Sequence, residues 1–170
     1  EMVRVFGGAR DRGEELIATV DYVADGFVQV LDHAADRDVL LLLETHDDWC
    51  ASAPVRAVVE LVGHPNLKVL WDFMHSQRML EKPEESFQIL GEYTHHTHAH
   101  DGQIIDGKLQ VSGTLGSGLF DHEIPLRLLS EAGYSGYFSV EVIHKPGSEH
   151  NADAVLAQYA EQFQAIMAGF

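Results

Sequence analysis

"VLLLLETH", residues 39–46, sets five aliphatic side chains in a row before an acid, a hydroxyl and an imidazole. A run apolar at every position, rather than at every second one, suits a parallel strand buried on both faces. Glu44 stands where that run stops. The pattern returns in "LKVLWDFMH" (67–75), which reaches Asp72, and in "GYFSVEVIH" (136–144), which reaches Glu141. "YTHHTHAHD" (93–101), with four histidines in nine residues, is a polar version of the same element, and Val3 to Phe6 opens the series.

Helical spacing fills the intervals. Leu16, Ile17, Val20, Val23, Ala24, Phe27, Val28, Val30, Leu31 and Ala34 recur at steps of three and four, an amphipathic stripe interrupted by Gly26. A second helix is predicted from Ser52 to Val62, with Ser52 as N-cap and Pro54 in its first turn. Pro83, Glu84 and Glu85 open a short one with the negative charge a helix N-terminus favours. Asp106-Gly107 offers a tight hairpin turn inside a glycine-rich segment, 102–118, that otherwise reads as a flexible loop. Asp121 is the expected cap of a helix carrying Pro125 and ending at Gly133. The last helix starts near Asn151 and presents Val155, Tyr159, Phe163 and Ile166 on one face. Strand and helix alternate five times, which is the α/β class with a parallel sheet in one domain, residues 1–170.

Composition narrows the function. Of 170 residues, 45% are hydrophobic, enough for a packed core, and the net charge of −16 repels phosphate backbones, so nucleic acid is a poor partner. Cys50, the single cysteine, precludes an internal disulfide and reads as a small buried hydrophobe. No apolar run reaches the roughly 18 residues of a membrane span and no secretory signal pattern is visible, so a cytoplasmic location is expected, with no membrane partner.

Parallel strands finish on one face of their sheet. Glu44, Asp72, His98 and Glu141, successively 28, 26 and 43 residues apart, can therefore converge in space. Three carboxylates at one point repel by about 4 kcal/mol per pair at 4 Å in an effective dielectric of 20. A divalent cation removes that cost, and three carboxylates with one imidazole suit Mn²⁺ or Mg²⁺. Period two puts Thr94, His96, His98 and His100 on one face, with His98 as the ligand and His96 a layer deeper as its support. His95 points to the helices as a packing residue. His75, three residues after Asp72, is a candidate substrate donor or acid/base group, and His46 has the parity to face inward. Arg78, His100, Asp101, His144 and Lys145 are rim candidates. The glycines at 113, 116 and 118 resemble a phosphate loop only weakly, and Trp49 and Trp71 read as core or pocket wall.

Taken in order, "VRVFGG", "LLLETH", "VLWDFMH", the H-x-H-x-x-D of "HTHAHD", Gly116-x-Gly118 and "IPLRLLSEAGYSGYFSVEV" resemble the xylose isomerase-like, sugar phosphate isomerase/epimerase superfamily of TIM barrels. The resemblance implies a (β/α)₈ barrel of which this chain covers about five C-terminal βα units, strands 4 to 8. Such a barrel usually needs about 250 residues, so a fragment of a longer protein is the expected reading, or a second chain that supplies the first three units. It also implies that Glu44, Asp72, His98 and Glu141 hold one divalent ion, Mn²⁺ first, with Mg²⁺, Co²⁺ or Zn²⁺ as alternatives. His75 matches the family's histidine after the metal-binding aspartate. His100 replaces a common lysine or other polar residue.

The implied activity is isomerisation or epimerisation of a sugar, sugar phosphate or keto-polyol through a metal-stabilised enediolate. Glu44 and Glu141 serve as base and acid, His75 as a further catalytic group, and His46, His75, His100 and Arg78 bind substrate. A dehydratase or lyase of the same superfamily, acting on 3-dehydroshikimate or a keto-sugar, is the alternative. A non-catalytic interaction module is another. An apurinic endonuclease is disfavoured, because the segment after His98 lacks a D-x-H pair. The expected partner is a small sugar or keto-polyol, and a homo-oligomer is compatible with that.

Overall fold

The computed structural model describes residues 1–10, 13–112, 114–142 and 151–170. Five parallel strands form one sheet in the order β1 (Met2–Val5), β2 (Leu40–Glu44), β3 (Leu67–Asp72), β4 (Thr94–Ala99) and β7 (Phe138–Val140). A two-stranded antiparallel hairpin, β5 (Asp101–Ile105) and β6 (Lys108–Ser112), intervenes between β4 and β7. Its turn is the expected one. Asp106 and Gly107 both take positive φ, 51° and 72°, which matches the right-handed twist of two short strands.

Among the described residues, six α-helices connect or follow the strands: α1 (Leu16–Ala35), α2 (Ser52–Val62), α3 (Phe73–Arg78), α4 (Pro83–Leu90), α5 (Glu123–Glu131) and α6 (Ala152–Met167). The third connection therefore carries two helices, and the fourth carries the hairpin as well as α5. Each strand's two faces do different work. Leu41, Leu43, Val69 and Trp71 join Phe27, Leu31, Val55, Val58 and Leu129 in the core beneath the helices. By period two, Leu42 and Glu44, and likewise Leu70 and Asp72, turn to the opposite face. This is the α/β TIM-barrel type of fold, its parallel sheet forming part of a barrel, as the resemblance implies.

Several local expectations need correction. Ser52 is the first helical residue, not the cap, because its N–H and hydroxyl both donate to the Glu81 carboxylate; Ala51 is the cap. Asp121 acts one residue before the cap position, His122, and accepts the Ile124 N–H at 2.9 Å. Asn151 is the cap of α6, as its polar side chain suggests. The α1 stripe is too broad: Val20, Ala24, Phe27, Leu31 and Ala34 are buried, whereas Leu16, Ile17, Val28 and Val30 are exposed. A single neighbouring layer covers only one narrow arc of a helix surface.

Trp49 and Trp71 are both core residues. Cys50 is buried as well; its thiol donates to the Asp47 carbonyl at 3.0 Å, and burial pushes it up to about 11. Ellman's reagent at pH 8 is accordingly expected to leave Cys50 untouched in the native protein and to titrate one thiol after unfolding. Rapid modification of the folded protein would contradict this placement. No helix among the described residues is long and apolar enough to cross a membrane.

Candidate metal centre

Glu44 ends β2 and Asp72 ends β3; Asp72 lies in register with His98 of β4, and Glu141 follows β7 with its N–H on the Ala99 carbonyl. The Thr45 hydroxyl locks the ends of β2 and β3 together, accepting the Asp72 N–H at 2.9 Å and donating to the Asp72 carbonyl at 3.3 Å. As a result, one ligand atom from each of Glu44, Asp72, His98 and Glu141 lies within 4.8 Å of the other three. The convergence expected from four strand ends is present.

The charges are only partly compensated. Glu44 and Asp72 are 0% exposed. Asp72 commits Oδ1 to the N–H groups of Met74 and His75, capping α3, but Oδ2 has no hydrogen bond. Neither oxygen of Glu44 has one. His98 Nδ1 lies 2.7 Å from Glu44 Oε1 and 3.2 Å from Glu141 Oε2; one N–H can be directed at only one of them, and it is directed at Glu141. Burial opposes the charged imidazole, yet its contacts with Glu141 and Glu44 outweigh that and raise His98 to about 9. The His98 hydrogen bond, assisted by Arg4 and opposed by burial, holds the Glu141 carboxyl well below the ordinary range.

Buried, unbonded carboxylate oxygens cost free energy unless something positive meets them. A divalent cation at the common point would meet them, and it would take the place of the His98 proton. The donor set is three carboxylates and one imidazole without a thiolate, which fits a hard or borderline ion.

The flanking histidines are closer to the centre than their sequence positions suggest. His100, expected on the rim, is buried, its Nε2 2.8 Å from Asp72 Oδ2 but without a hydrogen bond. His75 Nε2 is 3.9 Å from the same oxygen, and Asp72, His75 and His100 form a second group whose ligand atoms lie within 4.8 Å of one another. Burial, partly offset by Asp72, lowers His75 to about 4. His46 packs its ring on His75, 4.6 Å between centroids, and on Phe6 at 4.7 Å. His96 sits a layer deeper, 2.8 Å from the Ser139 hydroxyl, and burial lowers its pKa. His95 lies on the helix side, between α4 and α5, as the alternation requires. Arg78 is exposed, its Nη1 3.3 Å from His75 Nδ1.

Asp101 is not a rim residue. It is 0% exposed and its carboxylate accepts N–H groups from Gly102, Gly116, Gly118 and Phe120. The amides of Gly116 and Gly118 are thus spent on an internal acid, not on a phosphate, and the segment is tethered. At Gly118 a Cβ would collide with that same carboxylate. Gly113, His144 and Lys145 lie outside the described residues.

Arg4 is the residue that sequence analysis does not single out. Its Nη1 is 2.8 Å from Glu141 Oε1 and 3.5 Å from Glu44 Oε2. Its only signal is a cation at a strand position, in register with Leu42 on the face of Glu44.

A family model described as "Xylose isomerase-like TIM barrel" matches residues 1–164. The chain belongs to this family. Among solved structures, the IolI protein with a bound zinc atom aligns with a TM-score of 0.84 at 18% identity, over 100% of this chain and 64% of that one. A D-tagatose 3-epimerase-like protein aligns with a TM-score of 0.77 at 20% identity, over 99% and 62%. AsbF from Bacillus anthracis, a probable 3-DHS dehydratase of petrobactin synthesis, aligns with 0.76 at 19% identity, over 95% and 63%. The chain thus spans under two thirds of each of these structures, and likeness at such identity concerns the fold. No curated protein matches the chain by sequence.

Proposed function

We propose that this xylose isomerase-like chain belongs to a divalent-metal-dependent enzyme that isomerises or epimerises a sugar, sugar phosphate or keto-polyol, with residues 1–170 as one partial-barrel domain. One observation carries the reading: four ligand atoms, from Glu44, Asp72, His98 and Glu141, converge within 4.8 Å around buried carboxylate oxygens that lack hydrogen bonds. These four residues would hold the ion, Mn²⁺ being the first choice for oxygen-rich donors with one imidazole. When bound, such an ion supplies the positive charge that makes a C–H beside a carbonyl acidic.

The protein's own groups do the rest. Glu44, on β2, and Glu141, after β7, come from the outermost of the four ligand-bearing strands, so one can take a proton from the substrate carbon while the other returns it. Asp72 has one oxygen locked by α3 and serves as a fixed ligand. Low basicity keeps His75 neutral, suited to hydrogen-bond a substrate hydroxyl, with His46, His100 and Arg78 as further contacts. Return of the proton to the opposite face gives an epimer, and return to the adjacent carbon gives the isomer. Loss of a β-hydroxyl gives the dehydratase reading, which shares the first step and which the likeness to AsbF favours as the second choice. The net charge of −16 weighs against a nucleic-acid substrate.

The shared first step has a direct test. In D₂O, the Mn²⁺-loaded protein is expected to exchange the carbon-bound proton beside the carbonyl of its keto-sugar substrate, seen as loss of that ¹H signal. Absence of exchange across a panel of keto-sugars and keto-polyols would reject proton abstraction.

A further inference from the structure

Each of the two glutamates divides its oxygens. Glu141 Oε1 and Glu44 Oε2 face Arg4 Nη1, at 2.8 and 3.5 Å, whereas Glu44 Oε1 and Glu141 Oε2 face His98 Nδ1, at 2.7 and 3.2 Å. Arg4 itself is steadied from the side, its guanidinium carbon 4.7 Å from the centroid of the Phe6 ring, which in turn packs on His46. Arginine suits this duty because it always bears charge and its Nη1, with two N–H groups, faces both carboxylates at once. The Arg4 side chain is 38% exposed, against 0% for Glu44 and 15% for Glu141.

We propose that Arg4 is a positioning residue of this centre: it binds one oxygen of Glu141 and draws on one oxygen of Glu44 across a longer ion pair, so that each glutamate turns its other oxygen to a divalent cation. The proposal rests on the reading that these groups hold such an ion. A carboxylate with both oxygens free can grip a hard cation through one oxygen or through both. The second mode would fill coordination positions that a substrate needs. The guanidinium also repels a cation through the carboxylates it pairs with. Both effects run the same way, so Arg4 makes the site less tight and more open. A purely structural support on β1 predicts the reverse, because its loss would loosen the centre and weaken ion uptake.

The sign of the effect decides between them. Mn²⁺ is titrated into the purified protein and into Arg4→Ala and Arg4→Lys, with the free ion counted by electron paramagnetic resonance and water access to the bound ion followed by proton relaxation. Arg4→Ala is expected to bind Mn²⁺ roughly tenfold more tightly, with reduced water access at the bound ion. Arg4→Lys keeps the charge but, with a shorter side chain, should not reach both carboxylates as Nη1 does, and so should lose water access with little change in affinity. Affinity equal to or weaker than the parent's in Arg4→Ala overturns the proposal. Should that variant fail to fold, Arg4→Lys decides: unchanged water access at an unchanged melting temperature overturns it. A parent that takes up no Mn²⁺ defeats the metal reading itself, whereas a parent that binds while Arg4→Ala binds equally defeats only the role of Arg4.

Discussion

Glu44→Gln is expected to weaken Mn²⁺ binding by about 100-fold or more, since supporting residues around a metal already cost 10- to 100-fold when removed. Glu44 is fully buried, and neither of its oxygens is hydrogen-bonded. Glutamine has the same shape and no charge, so the change removes one of three converging negative charges and little packing. The metal-free variant loses the 2.7 Å contact with His98 and the longer 3.5 Å pair with Arg4, while the like-charge repulsion among the carboxylates falls, so it should melt close to the metal-free parent. Calorimetric titration with Mn²⁺ and thermal melts with and without the ion read both halves. Unchanged affinity would show that Glu44 is not a ligand.

Asp101→Ala is the second large effect, this time on stability. Four N–H groups, from Gly102, Gly116, Gly118 and Phe120, point at one buried carboxylate. Removing it takes away their shared acceptor, and hydrogen bonds to a charged group carry about 1.5–3 kcal/mol each. Some of the four regain partners as the segment relaxes, so the expected loss is about 3–5 kcal/mol in denaturant unfolding. Asp101→Asn keeps the shape and two acceptor directions and should lose less. Proteolysis localises the effect: cleavage between 102 and 120 should accelerate before the rest of the chain opens. A loss within about 0.5 kcal/mol, the range of an ordinary surface substitution, would mean that Asp101 does not tether this segment.

The same residue illustrates where reading a sequence stops. An aspartate after a polar strand, beside a glycine-rich stretch, has the composition of a solvent-facing rim. Its burial depends on amides that come from up to 19 residues further along. His100 is a similar case, a histidine one step beyond β4 whose neighbour Asp72 comes from another strand. Arg4 depends on Glu141, 137 residues away, and no local pattern announces such a partner.

What the sequence alone determined was the framework: continuous apolar runs that must be strands covered on both sides, helical stripes between them, the Asp106-Gly107 turn, and a metal-competent side chain at each of four strand ends. Hydrophobic period and backbone preference are local properties, written every two or every three to four residues, so they survive without any knowledge of neighbours. Which charges are buried, which carboxylate oxygen faces which cation, and whether a glycine amide meets a phosphate or an aspartate were decided only by the tertiary structure. A charge is stable out of water only when an opposite group or a donor lies within a few ångströms, and that distance is set by the whole fold rather than by the segment that carries the charge.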